Sequence, residues 1–370
     1  MKIVVNVARI LTGVLFIFSG LVKAIDPRGL AYKMQEFFEA FANEGWLPAV
    51  MNSLNDYALG FSIIMITLEI ILGVALLLGF KRTITTILLL LLMILFTFLT
   101  SYVLFSGKIR ACGCFGDCIP ITPMQTFAKD IILLLLILIL LFGRRFIQPL
   151  AKPFISGTII FLVTAAVLFL QWYVLRNLPV ADCLPFRKGN DIMKLREMPA
   201  DAVQDKFDYV FIYKRGDEQK EFTADALPDS TWEFVDRTQK LVKKGRNNIP
   251  LINDFNLADS TGADVTSEIL GGDKVYYILF LQQINKDSKK WLENFKRIRK
   301  NSDVPIYVAT SQRNNIMRFL SANQISVDGV FSLDATAIKT AARSIPTLYK
   351  MKGPVVKEKW GWASFDKVEP

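Results

Sequence analysis

Three of the four cysteines stand in one short run, Cys112-Gly-Cys114-Phe-Gly-Asp-Cys118, and the fourth, Cys183, follows the last apolar stretch of the chain. A thiolate is the reactive form of cysteine, so such a cluster could carry thiol–disulfide chemistry. The same cysteines could instead form structural disulfides. Unpaired structural thiols and a closed four-cysteine zinc site are the other interpretations. The C-x-C-x3-C spacing with one remote cysteine lacks paired C-x2-C knuckles, so we expect no metal and treat all four cysteines as candidate catalytic residues.

Five apolar runs come before a more polar region, and together they predict a membrane protein. Hydrophobic residues make up 52% of the 370 residues. Each run is long enough to cross a hydrocarbon core of roughly 30 Å. The runs are Val4–Val22, Tyr57–Phe80, Thr83–Phe105, Phe127–Phe142 and Ile155–Leu175. We therefore expect a membrane α-helical bundle, followed by a soluble region of about 190 residues that can bury its own core.

Basic residues in the short connections predict the orientation of the helices. The connections after the second and fourth runs carry Lys81, Arg82, Arg144, Arg145 and Lys152. By the positive-inside rule these connections and the N-terminus are cytoplasmic, although Lys23, Arg28, Lys33, Lys108 and Arg110 fall on the opposite side. The cysteine run, Cys183 and the C-terminal region then lie in the periplasm of a bacterial inner membrane, where disulfides persist.

Charge composition narrows the expected partners and cofactors. The net charge is +10 and the chain has no histidine, which excludes histidine-bound haem, histidine-bound zinc and histidine general bases. The basic clusters 243–246 and 296–300 are interpreted as solvated faces near anionic lipid. The expected partners are therefore the lipid bilayer and a periplasmic protein, not nucleic acid.

Two charges fall inside the apolar runs. Arg9 lies about 13 residues from the outer end of the first run and Glu69 about 12 from that of the second. At 1.5 Å per residue they would stand at nearly equal depth in antiparallel neighbours. Because an unpaired charge in the membrane is costly, we expect an Arg9–Glu69 ion pair. It could be structural or could belong to a proton or ligand pathway.

The first long connection and the C-terminal region have readable patterns. Apolar residues recur at helical spacing between residues 34 and 46, which predicts an amphipathic helix at the membrane interface.

After a β-hairpin around 207–217, the pattern predicts the strand Val275–Leu281, the helix Lys289–Lys300 and the strand Val304–Ala309. Further helices at 313–323 and 335–342 and a strand at 347–351 complete an α/β plan with a central sheet.

Residues 1–150 resemble the DoxX and MauE families of bacterial membrane proteins, in the type found in Bacteroidetes. The resemblance rests on Arg9–Gly13, Phe18–Lys23, Glu69–Gly73 and the Cys112-Gly-Cys114-Phe-Gly motif. It implies a four-helix core similar to membrane thiol oxidoreductases of the DsbB and vitamin K epoxide reductase type. It also implies that Cys112 and Cys114 are the redox pair, with a quinone as the acceptor to consider.

The C-terminal region resembles thioredoxin-like domains through the segment Asp254–Val265 and the run Arg343-Ser-Ile-Pro346-Thr. The resemblance implies a cis peptide at Pro346 opposite the former catalytic turn at Gln282, Gln283 and Ser288. No cysteine follows Cys183, so this domain cannot exchange disulfides itself. The groove beside Pro346 is then a candidate surface for an extended peptide, or a surface packed against the membrane part.

The domain boundaries that follow are a transmembrane bundle at 1–150, a fifth helix at 151–178, a linker with a β-hairpin at 179–250, and a thioredoxin-like domain at 251–370. Two functions remain open. One is a membrane thiol–disulfide oxidoreductase acting on periplasmic partners through the C-x-C loop. The other is a non-catalytic assembly protein with structural disulfides and a partner-binding domain.

Overall fold

The structure is a computed structural model that describes residues 1–109, 116–243, 245–284 and 288–369. Its N-terminal bundle is built from helices. They are α1 (Lys2–Ala24), α2 (Pro27–Asn43), α3 (Pro48–Asp56), α4 (Ala58–Leu78), α5 (Arg82–Ser106), α6 (Pro123–Phe142) and α7 (Pro153–Arg176). Among the described residues, α1, α4, α5, α6 and α7 are long and apolar enough to cross a membrane. The five predicted spans are therefore confirmed as helices, and the chain is a multi-pass membrane protein.

Helix α4 lies at the centre of the bundle. Half of its most apolar stretch is buried (50%), against 11% for α7. It runs antiparallel to α1 in close contact, and a Cβ placed on Gly73 would lie 2.8 Å from the Gly13 carbonyl oxygen. Small residues allow two helix backbones to approach in this way. The peripheral α7 is tied to α4 by a hydrogen bond from Gln171 Nε2 to Thr67 Oγ1 of 2.9 Å.

The predicted amphipathic helix is α2, which covers the end of the bundle that carries the cysteines. Asp26 caps its first turn and Pro27 starts it, as expected for a helix N-terminus. Phe37 and Phe41 are buried against the last turns of α5, so this helix packs on protein as well as lying at the bundle end. The short α3 that follows it had no clear signal in the sequence.

A three-stranded antiparallel sheet follows the short helix α8 (Ile192–Arg196). Its strands are β1 (Lys206–Arg215), β2 (Glu218–Thr223) and β3 (Glu233–Lys243), in the order β2-β1-β3. Backbone hydrogen bonds between Val203 and Arg246 close the base of this segment. Among the described residues, none between 203 and 246 contributes to the buried cores of the C-terminal region. The sheet is thus an insertion whose two ends meet at Val203 and Arg246 and whose residues lie outside both cores.

The main sheet has the order β6-β5-β4-β7-β8. Its elements are α9 (Thr266–Leu270), β4 (Val275–Phe280), α10 (Ser288–Asn301), β5 (Ile306–Thr310), α11 (Arg313–Ala322), β6 (Gly329–Ser332), α12 (Ala335–Ala341), β7 (Thr347–Lys352) and β8 (Val355–Gly361), ending in a 3-10 turn at Trp362–Lys367. Strands β4 and β5 are parallel neighbours, as predicted. Both faces of β4 are buried, since Phe280 and Leu279 point into separate cores, which is usual for a strand covered on both sides.

The predicted cis peptide at Pro346 is present, between Ile345 and Pro346. Phe280 at the end of β4 pairs with Thr347 at the start of β7. Pro346 therefore lies at the same end of the sheet at which Gln282 and Gln283 leave β4. Ser288 begins α10, and residues 285–287 between them lie outside the described residues. We call residues 177–369 the C-terminal body; it is a mixed α/β region.

Candidate functional site

A disulfide joins the cysteine loop to the segment after α7. Cys118 and Cys183 are bonded with an S–S distance of 1.97 Å and a Cα–Cα distance of 4.9 Å. Both residues are half-buried. The bridge removes two cysteines from any four-cysteine zinc site. Cys112 and Cys114 lie outside the described residues, so their predicted pairing stays a prediction.

Each bridged cysteine is preceded by an aspartate, and each aspartate binds a basic residue of the C-terminal body. Asp117 Oδ2 lies 2.6 Å from Arg343 Nη2. Asp182 Oδ2 lies 2.7 Å from Lys359 Nζ, whose side chain is only 7% exposed. Burial lowers the pKa of Lys359, and Asp182 only partly offsets that effect. The bridge is thus held from both sides by ion pairs to the same body.

Arg343 joins three parts of the molecule through one guanidinium group. Its Nε lies 2.7 Å from Asp26 Oδ2 at the α1–α2 corner, and its Nη2 contacts Asp117 of the cysteine loop. Its Nη1 donates to the Lys339 carbonyl of its own body at 2.8 Å, and the group lies 5.3 Å from the Tyr32 ring. Burial lowers the pKa of Arg343, but Asp26 and Asp117 outweigh it and the net shift is upward, so the cation is retained.

Asp26 carries two tasks at the corner between α1 and α2. Its Oδ1 accepts a hydrogen bond from Gly29 N at 3.1 Å, which caps α2, while Oδ2 faces Arg343. Burial raises the pKa of Asp26 more than Arg343 lowers it, and the neighbouring Asp117 adds to the rise. A Cβ on Gly29 would lie 2.9 Å from Asp26 Oδ2, so this position needs glycine to leave room for the carboxylate.

A second set of contacts fastens the C-terminal body to the end of α7. Ser344 Oγ donates to the Arg176 carbonyl at 2.8 Å, and Ser364 Oγ donates to Asn177 Oδ1 at 2.6 Å. A Cβ on Gly361 would overlap the Asn177 carbonyl. Because Arg343 and Ser344 come directly before Ile345 and the cis Pro346, the end of the sheet that carries Pro346 faces the bundle.

A narrow pocket opens beside the disulfide. The α1–α2 corner, the cysteine loop and the segment after α7 contribute its walls, which are mainly apolar; they include Val22, Ile25, Leu30, Pro179, Cys118 and Cys183. Asp26, Lys33 and Asp182 also line it. The bridged cysteines thus form part of the wall of a small cavity at the junction of the bundle and the C-terminal body.

Known proteins similar to this chain were found for the helical bundle and for the three-stranded sheet. Residues 1–143 match the family described as Methylamine utilisation protein MauE. The bundle is MauE-like. Protein TlpB of Flavobacterium psychrophilum is 34% identical over 137 residues, which are 36% of this chain and 35% of TlpB, so the chain spans about a third of that relative. Residues 207–244, the three-stranded sheet, match a domain of unknown function (DUF8463). No solved structure matches the chain.

In the MauE-like bundle Arg9 and Glu69 have other partners, so the predicted Arg9–Glu69 ion pair is wrong. Glu69 Oε2 instead lies 2.6 Å from Lys23 Nζ, with both side chains about 5% exposed or less. Arg9 donates to the carbonyls of Leu76, Leu77 and Gln148 at 2.9, 2.6 and 3.0 Å. The first turns of α4 extend past the end of α1 and pack on α2, where Ser62 Oγ donates to the Pro27 carbonyl. Glu69 is therefore level with Lys23, about 21 Å along α1 from Arg9 at 1.5 Å per residue.

The MauE-like bundle holds a second ion pair near the first, in which only the aspartate is fully buried. Asp130 Oδ1 of α6 lies 2.7 Å from Lys129 Nζ, and its Oδ2 accepts from Thr100 Oγ1 at 3.0 Å. A small cavity lies between Lys23, Glu69, Phe96 and Lys129. It has room for about one water molecule.

The sequence analysis missed the charged residues that form ion pairs beside the disulfide. They are Asp26, Asp117, Asp182, Arg343 and Lys359. A local signal existed for two of them, because an Asp-Cys pair occurs at 117–118 and again at 182–183. The basic partners had no such signal, since Arg343 is separated from Asp117 by 226 residues.

Proposed function

We propose that this MauE-like protein is a membrane thiol–disulfide redox protein in which Cys112 and Cys114 exchange with exported partner proteins. The observation that carries the proposal is the Cys118–Cys183 bridge. It uses two of the four cysteines and leaves Cys112 and Cys114, one residue apart, as the remaining pair. A cysteine loop fixed at one end by a disulfide and at the same point by an ion pair is suited to present that pair.

The exchange would proceed as an ordinary thiol–disulfide reaction. A thiolate of a partner dithiol attacks one sulfur of the Cys112–Cys114 disulfide, and a mixed disulfide forms as the other sulfur leaves as a thiolate. The second partner thiolate then attacks the partner's sulfur in the mixed disulfide and displaces the protein's cysteine, which releases the oxidised partner and leaves Cys112 and Cys114 as thiols. Two electrons and two protons have moved to the protein, and a quinone or another membrane-soluble two-electron oxidant must take them up.

The cavity beside Lys23 and Glu69 holds about one water and does not fit a quinone ring. We therefore propose the acceptor by chemical class alone and route no step through a bound quinone.

The C-terminal body is proposed to be a thioredoxin-like domain without redox chemistry of its own. Three features support this: the sheet order, the parallel pair β4–β5 and the cis peptide before β7. The sequence places Gln282 and Gln283 where a catalytic cysteine would follow β4, and no cysteine comes after Cys183. The C-terminal body then holds the cysteine loop in place and offers a surface on which a partner protein can dock.

We further propose that the C-terminal body lies in the periplasm of an inner membrane. The bridge supports this because disulfides persist there. The opposite end of the bundle carries Lys81, Arg82, Arg144, Arg145 and Lys152 in its connections, as expected for a cytoplasmic face. A reporter that fluoresces only in the cytoplasm, fused after Pro370, should stay dark, and bright cells would reverse the orientation.

Thiol trapping in intact cells tests the redox role. Cells are quenched with acid, free thiols receive a mass tag, and the four-cysteine parent is compared with Cys112→Ser/Cys114→Ser and Cys118→Ser/Cys183→Ser. We expect a parent population that differs by two tags and becomes more reduced when the quinone pool is reduced. The first variant should lose this species and the second should keep it.

A non-catalytic assembly role is the second candidate, and one observation favours it. The bridge and the Asp117–Arg343 ion pair pin the cysteine loop to the C-terminal body, which a purely structural disulfide would also do. In that case all parent cysteines stay fully oxidised and do not respond to the quinone pool.

A further inference from the structure

Strand β3 forms a long, exposed edge of the three-stranded sheet. It pairs with β1 along one side, since the strand order is β2-β1-β3. In the part of the chain that the structure describes, no strand covers its other side, and all 11 residues of Glu233–Lys243 are exposed. An uncovered edge of this length is a template for pairing with another strand, and proteins that stay monomeric usually shorten or cover such edges.

The exposed strand carries large apolar side chains near both of its ends. Phe234 and Val235 are 57% and 44% exposed, and Leu241 and Val242 are 46% and 53% exposed. Apolar side chains clustered on an uncovered edge are typical of a surface that another strand covers.

The charges of β3 make the strand complementary to a reversed copy of itself. Glu233 and Asp236 precede the middle residue Thr238, and Lys240 and Lys243 follow it at the same distances. A second copy that runs antiparallel about Thr238 therefore places Asp236 opposite its Lys240, and Glu233 opposite its Lys243. Directly opposite side chains have Cβ atoms about 5 Å apart, where opposite charges stabilise the pair. Residues 236–241 pair with β1 without a bulge, so the register about Thr238 is regular.

We propose that β3 is a homodimer interface, in which two copies of the chain pair edge to edge and antiparallel about Thr238. In this register Phe234 lies opposite Val242 of the second copy and Val235 opposite its Leu241, so the exposed apolar side chains cover each other. The twofold axis makes every such pair occur twice, as in other isologous interfaces. Confinement of both copies to one bilayer raises their effective concentration, which favours an interface of this limited size.

Disulfide trapping of the full-length protein in native membranes tests the pairing. Thr238→Cys lies on the twofold axis and should link to its own copy on mild oxidation, which mass spectrometry detects as two identical peptides joined at residue 238. The matched control is Gln219→Cys, because Gln219 is an exposed polar residue of β2 on the opposite edge of the sheet. We expect about tenfold more linked dimer for Thr238→Cys, since a disulfide forms only between Cα atoms closer than about 7 Å.

Charge reversal tests the register. Asp236→Lys puts like charges opposite each other at two places in the dimer and should lower the association constant in detergent about tenfold, measured by sedimentation. Addition of Lys240→Asp restores opposite charges between the copies and should recover part of that loss; recovery is partial because Lys240 also lies opposite Asp208 of β1. Within one chain, residues four apart on a strand are about 13 Å from each other, so recovery reports a contact between copies. The control Asp217→Lys makes the same charge change in the β1–β2 turn and should match the parent.

Each contrary outcome overturns the inference. Absence of the peptide linked at residue 238, in a variant that melts like the parent, would show that the two edges do not meet. Equal linking at residue 219 would mean random collision. A link from residue 238 to another protein alone would mean that the edge binds a foreign strand. Failure of Lys240→Asp to improve on Asp236→Lys would refute the register. None of these outcomes depends on the redox role.

Discussion

At the scale of single residues, the site depends on ion pairs whose basic members are more buried than their acidic ones. Lys359 is 7% exposed while its partner Asp182 is 28% exposed. Lys359 also lies over the Tyr349 ring at 4.8 Å. Removal of Asp182 would leave the buried Lys359 cation without a counter-charge. Removal of Lys359 would leave the Asp182 carboxylate partly exposed to water.

This asymmetry predicts unequal effects of two substitutions. Asp182→Ala should lower the free energy of unfolding of the C-terminal body by about 3 kcal/mol, because it leaves a buried charge unpaired. Lys359→Met should cost clearly less, since burial already lowers the pKa of Lys359 and methionine fills the same space. Denaturant unfolding followed by tryptophan fluorescence gives both values. A larger loss for Lys359→Met would contradict the asymmetry.

For single residues, the sequence predicted which charged side chains are buried in the bundle but not which residues they pair with. Arg9 and Glu69 were recognised as buried charges, and both are buried. Their pairing was wrong because counting from the ends of apolar runs assumes that neighbouring helices end at one level. The offset of α4 against α1 depends on the Gly13–Gly73 contact and on α2, which hydropathy does not encode.

At the scale of elements, the glycine contact between α1 and α4 sets that offset. It predicts different outcomes for two glycines of the same helix. Gly73→Ala places a Cβ 2.8 Å from the Gly13 carbonyl oxygen and should destabilise the bundle by roughly 1–3 kcal/mol, as overpacking does. Gly60→Ala meets open space and should be neutral or stabilising by up to about 1 kcal/mol, because alanine is the better helix former.

The pair is compared by unfolding in detergent micelles under one set of conditions. Gly60→Ala serves as the control for any general effect of replacing glycine in α4. Equal stability of the two variants would mean that α1 and α4 do not approach at Gly73 as closely as described.

The three-stranded sheet predicts a tolerated excision. The paired residues Val203 and Arg246 exchange two backbone hydrogen bonds of 2.7 and 2.9 Å at its base. Replacement of residues 204–245 by a short Gly-Ser linker should therefore leave the Cys118–Cys183 bridge and the midpoint of thermal unfolding nearly unchanged. Gel mobility with and without reductant and a melting curve report both; collapse of either would show that the sheet supports the rest of the body.

Elements were predictable where burial leaves a periodic pattern. The helices α10, α11 and α12 each bury an apolar face, while the five spans and the strand β4 are continuous apolar runs; all were expected close to their bounds. Strand β3 was missed because every one of its residues is exposed, so it has no in–out alternation. Strand β6 has four residues and owes its form to pairing with β5, a long-range contact.

At the scale of the whole molecule, docking of the C-terminal body should respond to pH through Asp26. Burial raises the pKa of Asp26 in the docked state, so that state binds a proton more readily than an undocked one. The contribution is fully present below the ordinary value of 3.8 and is lost as pH rises through the raised pKa. Docking should thus strengthen on mild acidification, despite the ion pairs of Arg343 with Asp26 and Asp117.

Hydrogen exchange of backbone amides around residues 341–347, recorded from neutral pH down to about pH 4 and corrected for intrinsic rates, measures this response. Asp26→Asn removes the titrating group and should flatten the profile. Protection that instead falls steadily with acidification in the parent would mean that Asp26 gains more from Arg343 than it loses by burial.

The bridge also has a consequence for biosynthesis. Cys118 and Cys183 are 65 residues apart, and the chain between them contains both α6 and α7. The two sulfurs can meet only after an even number of crossings has brought Cys183 back to the side of Cys118. During translation, oxidation of this pair therefore reports that the last two helices have been inserted as a hairpin, and a chain stalled with one of them outside the lipid would emerge with both thiols free.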